Sequence, residues 1–206
     1  MHHVRIRHLK TCDSLQERFL TQLSLAVQDY NHLVKFSNAI QSSYPVNTYT
    51  SKGYSNCKYG RILIEDKHLF DTLVGYGIIP NKSLHEKFPY MINEKYYIDV
   101  VRGIFDADGC ISSHKNRRGL EEYEFTINGT KEMLESIMEV LNDNSGIKLM
   151  QRYPERKNNN YTLKHGGNQV AYKYMNKIYD NAVVYLDRKY EKYLQLKNYI
   201  SNYNAA

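Results

Sequence analysis

Tryptophan is missing altogether from this 206-residue chain, cysteine occurs three times and proline four times. Cys12, Cys57 and Cys110 are odd in number and far apart, which argues against a disulfide framework or a zinc site and suits a reducing compartment. No apolar run approaches the roughly 18 residues of a membrane-spanning helix, and the opening MHHVRIRHLK lacks the apolar centre of a signal peptide. A soluble, intracellular protein is therefore expected, whether cytoplasmic, organellar or phage-encoded within a host cell, with no membrane partner. Charge excess is modest too: 28 Lys and Arg against 22 Asp and Glu leave +6, which fits a nucleic-acid partner and by itself specifies none.

Tyrosine, by contrast, is abundant at 20 residues; its ring can stack on bases, although most tyrosines serve packing with a wet hydroxyl. Basic residues gather between positions 148 and 177, where Lys148, Arg152, Arg156, Lys157, Lys164, Lys173 and Lys177 face Glu155 alone. Either a local basic surface or an ordinary solvated face accounts for that run.

The chain is organised around Tyr96–Ile111, YYIDVVRGIFDADGCI. Val100, Val101, Ile104 and Phe105 fall at the recurring offsets of a buried helix face, Gly103 lies among them, and Gly109 stands where a left-handed cap would end the helix. Such a helix ends on Asp106 and Asp108, an arrangement disfavoured by a few tenths of a kcal/mol, up to roughly 1, because a helix C-terminus carries partial negative charge. A cation there reverses the sign, and hard divalent ions take carboxylate and carbonyl oxygens. Both aspartates are thus candidate metal ligands, with a plain polar turn as the alternative. A calcium loop fails, since its glycine and glutamate positions hold Ile111 and Arg117.

Elsewhere the periodicity predicts elements in a repeating order. Residues 1–20 show no clean helical stripe or alternation. Leu23, Leu25 and Val27 read as a strand, Asp29 caps a helix with Leu33, Phe36 and Ile40 on one face, Val46–Ser51 and Cys57–Ile64 form strands around a turn at Lys52–Asn56, and a helix from Asp66 to Tyr76 stops at Gly77. After the central run come a strand at Cys110–Ser113, a basic turn at Lys115–Gly119, an alternating strand bearing Tyr123, Phe125 and Ile127, and a helix capped by Thr130. Strands at Ile147–Tyr153 and Asn160–His165, a helix from Asn168 to Tyr179 and a last amphipathic helix, Leu186–Ile200, complete the chain. Leu33 and Leu134, Phe36 and Ile137, Ile40 and Leu141, and Leu69 and Val170 each stand 101 positions apart, so one structural unit occurs twice.

Val101 to Gly109 resembles the nine-residue signature of the LAGLIDADG homing endonucleases, identically at Gly103, Asp106, Ala107, Asp108 and Gly109, conservatively at the apolar positions and with Arg102 unlike. The resemblance, which covers roughly residues 22–200, implies an α+β fold of two pseudo-symmetric αββαββα halves with antiparallel saddle sheets lying on double-stranded DNA. It implies that motif helices pack through Gly103, flanked by Val100 and Ile104. Asp108, with Ala107 beside it, would hold Mg²⁺ or another divalent cation, and Lys164 would be the basic catalytic residue near the scissile phosphate. DNA contacts would come from His114, Lys115, Arg117 and Arg118, from Lys148, Gln151, Arg152, Arg156 and Lys157, and from Lys52, Lys58 and Arg61. Glu122 and Glu124 would sit awkwardly beside phosphates.

Subtracting 101 from Asp106 and Asp108 gives Arg5 and Arg7, in a segment that is no LAGLIDADG helix. The expected organisation is therefore an unassigned segment 1–21, a first repeat 22–92 lacking its motif helix, and a complete second repeat 93–206. A second motif-bearing chain or an N-terminal fragment would then be a partner. The implied function is metal-dependent hydrolysis of DNA at a long site, impaired or limited to nicking; the alternative is a non-cleaving binder of the same fold, either an intron RNA maturase or a DNA-binding regulator.

Overall fold

Alternation of apolar and polar residues along short segments, broken by turns, builds two four-stranded antiparallel sheets in a computed structural model that describes residues 3–11, 14–51, 56–78, 84–154 and 158–205. The chain divides into two units, Met1–Lys82 and Ser83–Ala206.

The first unit runs β1 (His3–Thr11), β2 (Ser14–Ala26), α1 (Tyr30–Ala39), β3 (Val46–Thr50), β4 (Lys58–Glu65) and α2 (Lys67–Gly75), with sheet order β1-β2-β4-β3. Residues 1–20, which carry no legible pattern, thus hold β1 and half of β2. Only Val4 to Arg7 alternates, and pairing with β2 rather than local pattern extends the strand to Thr11. Asp66 caps α2 by accepting from the Leu69 amide at 2.6 Å, whereas Asp29, at the corresponding position of α1, makes no such cap and ends a 3-10 turn at Val27–Asp29. Leu25, Leu33, Ile62 and Ile64 form the buried centre. Gly60 is required by close approach: a Cβ there would lie 2.8 Å from Leu33 Cδ1 and 3.0 Å from the Tyr30 ring, pushing α1 off β4. Residues 52–55 of the expected turn, Lys52 among them, lie outside the described residues.

The second unit runs α3 (Tyr97–Asp108), β5 (Gly109–Lys115), β6 (Glu121–Gly129), α4 (Lys131–Val140), β7 (Met150–Gln151), β8 (Tyr161–Gly166), α5 (Asn168–Tyr179) and α6 (Asp187–Ala205), with sheet order β5-β6-β8-β7. Thr130 caps α4, accepting from the Met133 amide at 3.2 Å. Tyr123, Phe125 and Ile127 are buried as the alternation requires, and Phe105 of α3 stacks on Phe125 with ring centroids 4.9 Å apart. Leu134, Ile137 and Leu141 are fully buried, while Ile40, their counterpart of Leu141 in the first unit, is 43% exposed.

Two expectations need correction. The strand anticipated over Ile147–Tyr153 is reduced to Met150–Gln151: Tyr153 takes a left-handed conformation (φ 54°) that ends pairing on the C-terminal side, and Ile147–Leu149 form no pairs with β8. Gly109 is no left-handed cap. Its backbone is extended (φ −87°, ψ 166°) and starts β5 directly, and glycine is needed there because a Cβ would lie 2.3 Å from the Phe105 ring and 2.7 Å from the Phe105 carbonyl oxygen.

The first unit therefore repeats the order ββαββα, and the second has the same order with a helix ahead and another behind. Register refines the spacing of the repeat. Ile62 stands 101 positions before Leu163; these pair with Leu23 and Ile127, which in turn pair with Val4 and Gly109. Val4 thus takes the place of Gly109, and His3, rather than Arg7, takes that of Asp108.

Candidate active site

The end of α3 places its two aspartates in opposite environments. Asp106 is buried: one carboxylate oxygen accepts from the Tyr179 hydroxyl, and the other accepts from the Leu186 amide at 3.0 Å. Burial beside Asp106 pushes the Tyr179 hydroxyl well above the usual tyrosine range. Asp108, two residues on, is exposed, and its carbonyl accepts from Asn128 Nδ2 at 3.5 Å, close to the limit for such a bond. Period 3.6 explains the split, because Asp106 follows Arg102 and Phe105 on the buried side while Asp108 turns with Gly103 and Ile104 toward the open one.

Arg102, the residue unlike the signature, has a structural role. Its Nε donates to the Ile178 carbonyl at 2.7 Å and its Nη1 to Asp99 at 2.6 Å, tying α3 to the end of α5. Gly103 is exposed and an added Cβ would meet nothing within 4 Å, while Val100 and Ile104 are half-buried.

A cation does sit at the C-terminus of α3, and it is Lys189. Its Nζ donates to the carbonyls of Phe105 at 2.5 Å, Asp106 at 2.9 Å and Gly109 at 2.6 Å, so the partial negative charge of the helix end is met by a side chain of α6. Lys189 is only 3% exposed. Burial and then the Arg188 charge lower its pKa, against the pull of Asp106, Cys110 and Asp108, to about 8. In the sequence Lys189 shows only as a lysine in the stripe Leu186, Lys189, Tyr193, Leu196, Ile200, which is buried and where a lysine needs a partner that the sequence does not name.

The donor set at the helix end is consistent with a hard divalent ion of low protein coordination. Among the described residues no three His, Cys, Asp or Glu side chains come together, and Mg²⁺ characteristically takes one or two carboxylates and completes its shell with phosphate oxygens and water. The exposed Asp108 carboxylate and the adjoining Ala107 carbonyl are the groups that would serve.

Lys164 lies elsewhere on the sheet. It is opposite Thr126, which is opposite Cys110, so it stands two strands from β5, about 10 Å by ordinary strand spacing, and it pairs with Glu124 at 2.7 Å. That pair also accounts for one of the two awkward glutamates. Glu122 faces His114 across β5 and β6. Lys115, Arg117 and Arg118 are exposed, the last two in a turn held by Asn116, whose side-chain oxygen accepts from the Arg118 and Leu120 amides. Gln151 donates to the Asn158 carbonyl, Arg152 lies 5.4 Å from the Tyr153 ring, and Lys148 and Lys58 are exposed. Arg156 and Lys157 lie outside the described residues. The basic run 148–177 does not form one surface, for Lys177 turns to the carbonyl of Leu141 at the end of α4. Arg61, on β4, lies 3.9 Å from the ring of Tyr49.

No protein-family profile matches the sequence, and no curated protein matches it. Solved structures do. The LAGLIDADG meganuclease I-AabMI bound to uncleaved DNA is 16% identical, with 99% of this chain and 87% of that one covered and a TM-score of 0.55. The I-LtrWI LAGLIDADG homing endonuclease bound to target DNA is 11% identical over 98% of this chain and 87% of that one, with a TM-score of 0.58. Meganuclease I-SmaMI bound to uncleavable DNA is 11% identical over 98% and 88%, with a TM-score of 0.60. The exposed aspartate at the end of α3, the two repeated sheets and these likenesses agree: the chain has the fold of the LAGLIDADG homing endonucleases.

Proposed function

We propose that the protein is a DNA endonuclease of the homing type that hydrolyses phosphodiester bonds at a long target site. The observation that carries this is the division of labour at the end of α3, where Asp106 is fixed in the core and Asp108 is delivered to solvent. Asp108 and the Ala107 carbonyl would hold Mg²⁺ or another divalent ion, which supplies Lewis-acid stabilisation of the attacking and leaving oxygens; one of the fold neighbours, I-SmaMI, was crystallised with calcium ions. Lys189 keeps positive charge beneath the helix end, favouring approach of a phosphate to Asp108. Double-stranded DNA would lie on the sheets, as DNA is present in the neighbour structures.

One observation favours a chain that binds without making double-strand breaks. The sheet register puts His3 where the second repeat has Asp108. With a single motif acid, one strand would be nicked, or none, and the protein would act as an intron RNA maturase or a DNA-binding regulator. A second motif-bearing chain or an N-terminal fragment would restore the other acid.

The test is nicking of supercoiled plasmid carrying the uninterrupted allele of the host gene, with Mg²⁺. Nicking that disappears in Asp108→Asn while DNA binding persists is the expected outcome. Undiminished nicking by that variant removes Asp108 as the ligand; binding with no nicking by the parent chain selects the non-cleaving alternative.

A further inference from the structure

A cleft of about 350 Å³ opens in the second unit where the turn between β5 and β6, the start of α5 and the last turns of α6 meet. Its walls are fixed from the backbone outward. Asn116 closes the turn: its side-chain oxygen accepts from the Arg118 and Leu120 amides, and its own amide donates to the Leu120 carbonyl at 2.9 Å. Asn168 ties α5 to β6, accepting from the Tyr123 amide at 2.7 Å and donating to the Glu121 carbonyl at 2.9 Å, while the Gly167 amide donates to the Tyr123 carbonyl at 3.1 Å. A cleft held at this many backbone points is preformed, as small-molecule sites usually are.

The side chains around it are mixed in character. Leu120, Val170 and Tyr203 are large, apolar and exposed. Tyr199 and Tyr203, four residues apart on α6, share a side of that helix, and the Tyr199 ring centroid lies 6.2 Å from that of Tyr123. Glu121 stands on the Tyr123 side of β6 by alternation, and among the described residues no Lys, Arg or His pairs with its carboxylate. Glu122 adds a second carboxylate to the lining, whereas Arg117 and Arg118 of the same turn do not line the cleft. The start of α5 is worth about half a positive charge, so the full charges of the carboxylates outweigh it and an anion is disfavoured.

We propose that this cleft binds a small organic cation, an ammonium or guanidinium group on an apolar body. The charge would sit between the Glu121 carboxylate and the faces of Tyr199 and Tyr203, whose electron-rich rings attract cations, and the body would lie against Leu120 and Val170. At about 30 Å³ for each water of the liquid, the cleft has room for roughly a dozen waters, and a ligand of about that many non-hydrogen atoms fits it. The site uses none of the residues assigned above to cleavage or to DNA contact, so the inference is independent of the nuclease reading.

The experiment is isothermal titration of the full chain, free of nucleic acid and in low salt, with phenethylammonium and with agmatine, beside the neutral isostere 2-phenylethanol and the anion phenylacetate. Saturable one-site binding of at least one cation is expected, with 2-phenylethanol about tenfold weaker than phenethylammonium. Glu121→Gln should weaken cation binding about tenfold and leave the neutral compound unchanged. Tyr203→Leu, on an exposed side chain, should weaken the cation several-fold, and melting temperatures that match the parent's show that neither change acts through folding. Equal affinity for phenethylammonium and its neutral isostere overturns the assignment, because the cleft is then only an apolar groove. A preference for phenylacetate overturns it in favour of the start of α5. Cation binding that Glu121→Gln leaves intact, or no saturable binding of either cation up to about 10 mM, overturns it as well.

Discussion

Asp106 and Asp108 are two residues apart in sequence and opposite in what they do. The Asp106 carboxylate accepts from two fixed donors, the Tyr179 hydroxyl and the Leu186 amide. Asparagine offers one oxygen and an amino group, so Asp106→Asn leaves a donor facing a donor in a buried site, at a cost of about 1–3 kcal/mol. Its melting temperature should drop by several degrees, whereas Asp108→Asn, on an exposed side chain, should change stability by less than about 0.5 kcal/mol. Equal effects in thermal melts would mean that the two environments are not distinct. The sequence named both aspartates and could not divide them, because the partners of Asp106 are Tyr179 of α5 and Leu186, just ahead of α6, more than 70 positions on. The same distance hid Lys189: the unfavourable charge at the helix end was legible, and the side chain that meets it was not.

At the scale of elements, the helices were the most readable parts. α5 has the bounds that periodicity gave, Asn168 to Tyr179, since its apolar stripe and the preceding Gly166-Gly167 act locally. Strands paired at a distance were less so; β1 is held by β2, not by its own alternation. The link between α4 and β8 depends on contacts that no local pattern records. His165 Nε2 meets Asp143 Oδ2 at 2.8 Å, with both side chains 1% exposed, and the His165 and Tyr174 rings lie 4.7 Å apart. Burial alone would raise the Asp143 carboxyl, but hydrogen bonds from Tyr174 and Ser145 and the His165 charge hold it at about 2. A carboxyl held below its ordinary value stabilises the fold while ionised. That contribution, about 2 kcal/mol, is complete above pH about 4 and is lost as pH falls toward 2. Denaturant titrations across this window should show the parent chain losing stability more steeply than Asp143→Asn; parallel curves would show that the carboxylate is not the group responsible.

For the whole molecule, net charge is small and its distribution matters more. The second sheet carries Glu122 and Glu124 among its exposed-side residues, with Lys164 engaged by Glu124, so on the proposed function phosphate contacts there would come from the strand ends and turns, where Lys115, Arg117 and Arg118 are exposed. Affinity for duplex DNA should still fall with salt, at a slope of about 0.9 per phosphate contact in a plot of log affinity against log concentration. A flat plot would exclude a phosphate-held complex. The repeat itself was visible as a period of 101, and that period holds for the helices and for β4 and β8 but not for the first two strands of each sheet. Between Leu23 and α1 the first unit has three residues more than the second has between Ile127 and α4, and the 3-10 turn Val27–Asp29 is three residues long.

Tyr30 and Lys131, which begin α1 and α4, stand as far apart as Lys67 and Asn168, which begin α2 and α5. The stretches between those starts are therefore equal in length, and the added turn of the first unit lies outside them. In hereditary terms this makes each stretch a cassette. Copying one into the other's place would conserve the length of the chain and set β4 or β8 at an unchanged distance from the helix starts, while an exchange reaching across the Val27–Asp29 turn would not preserve length.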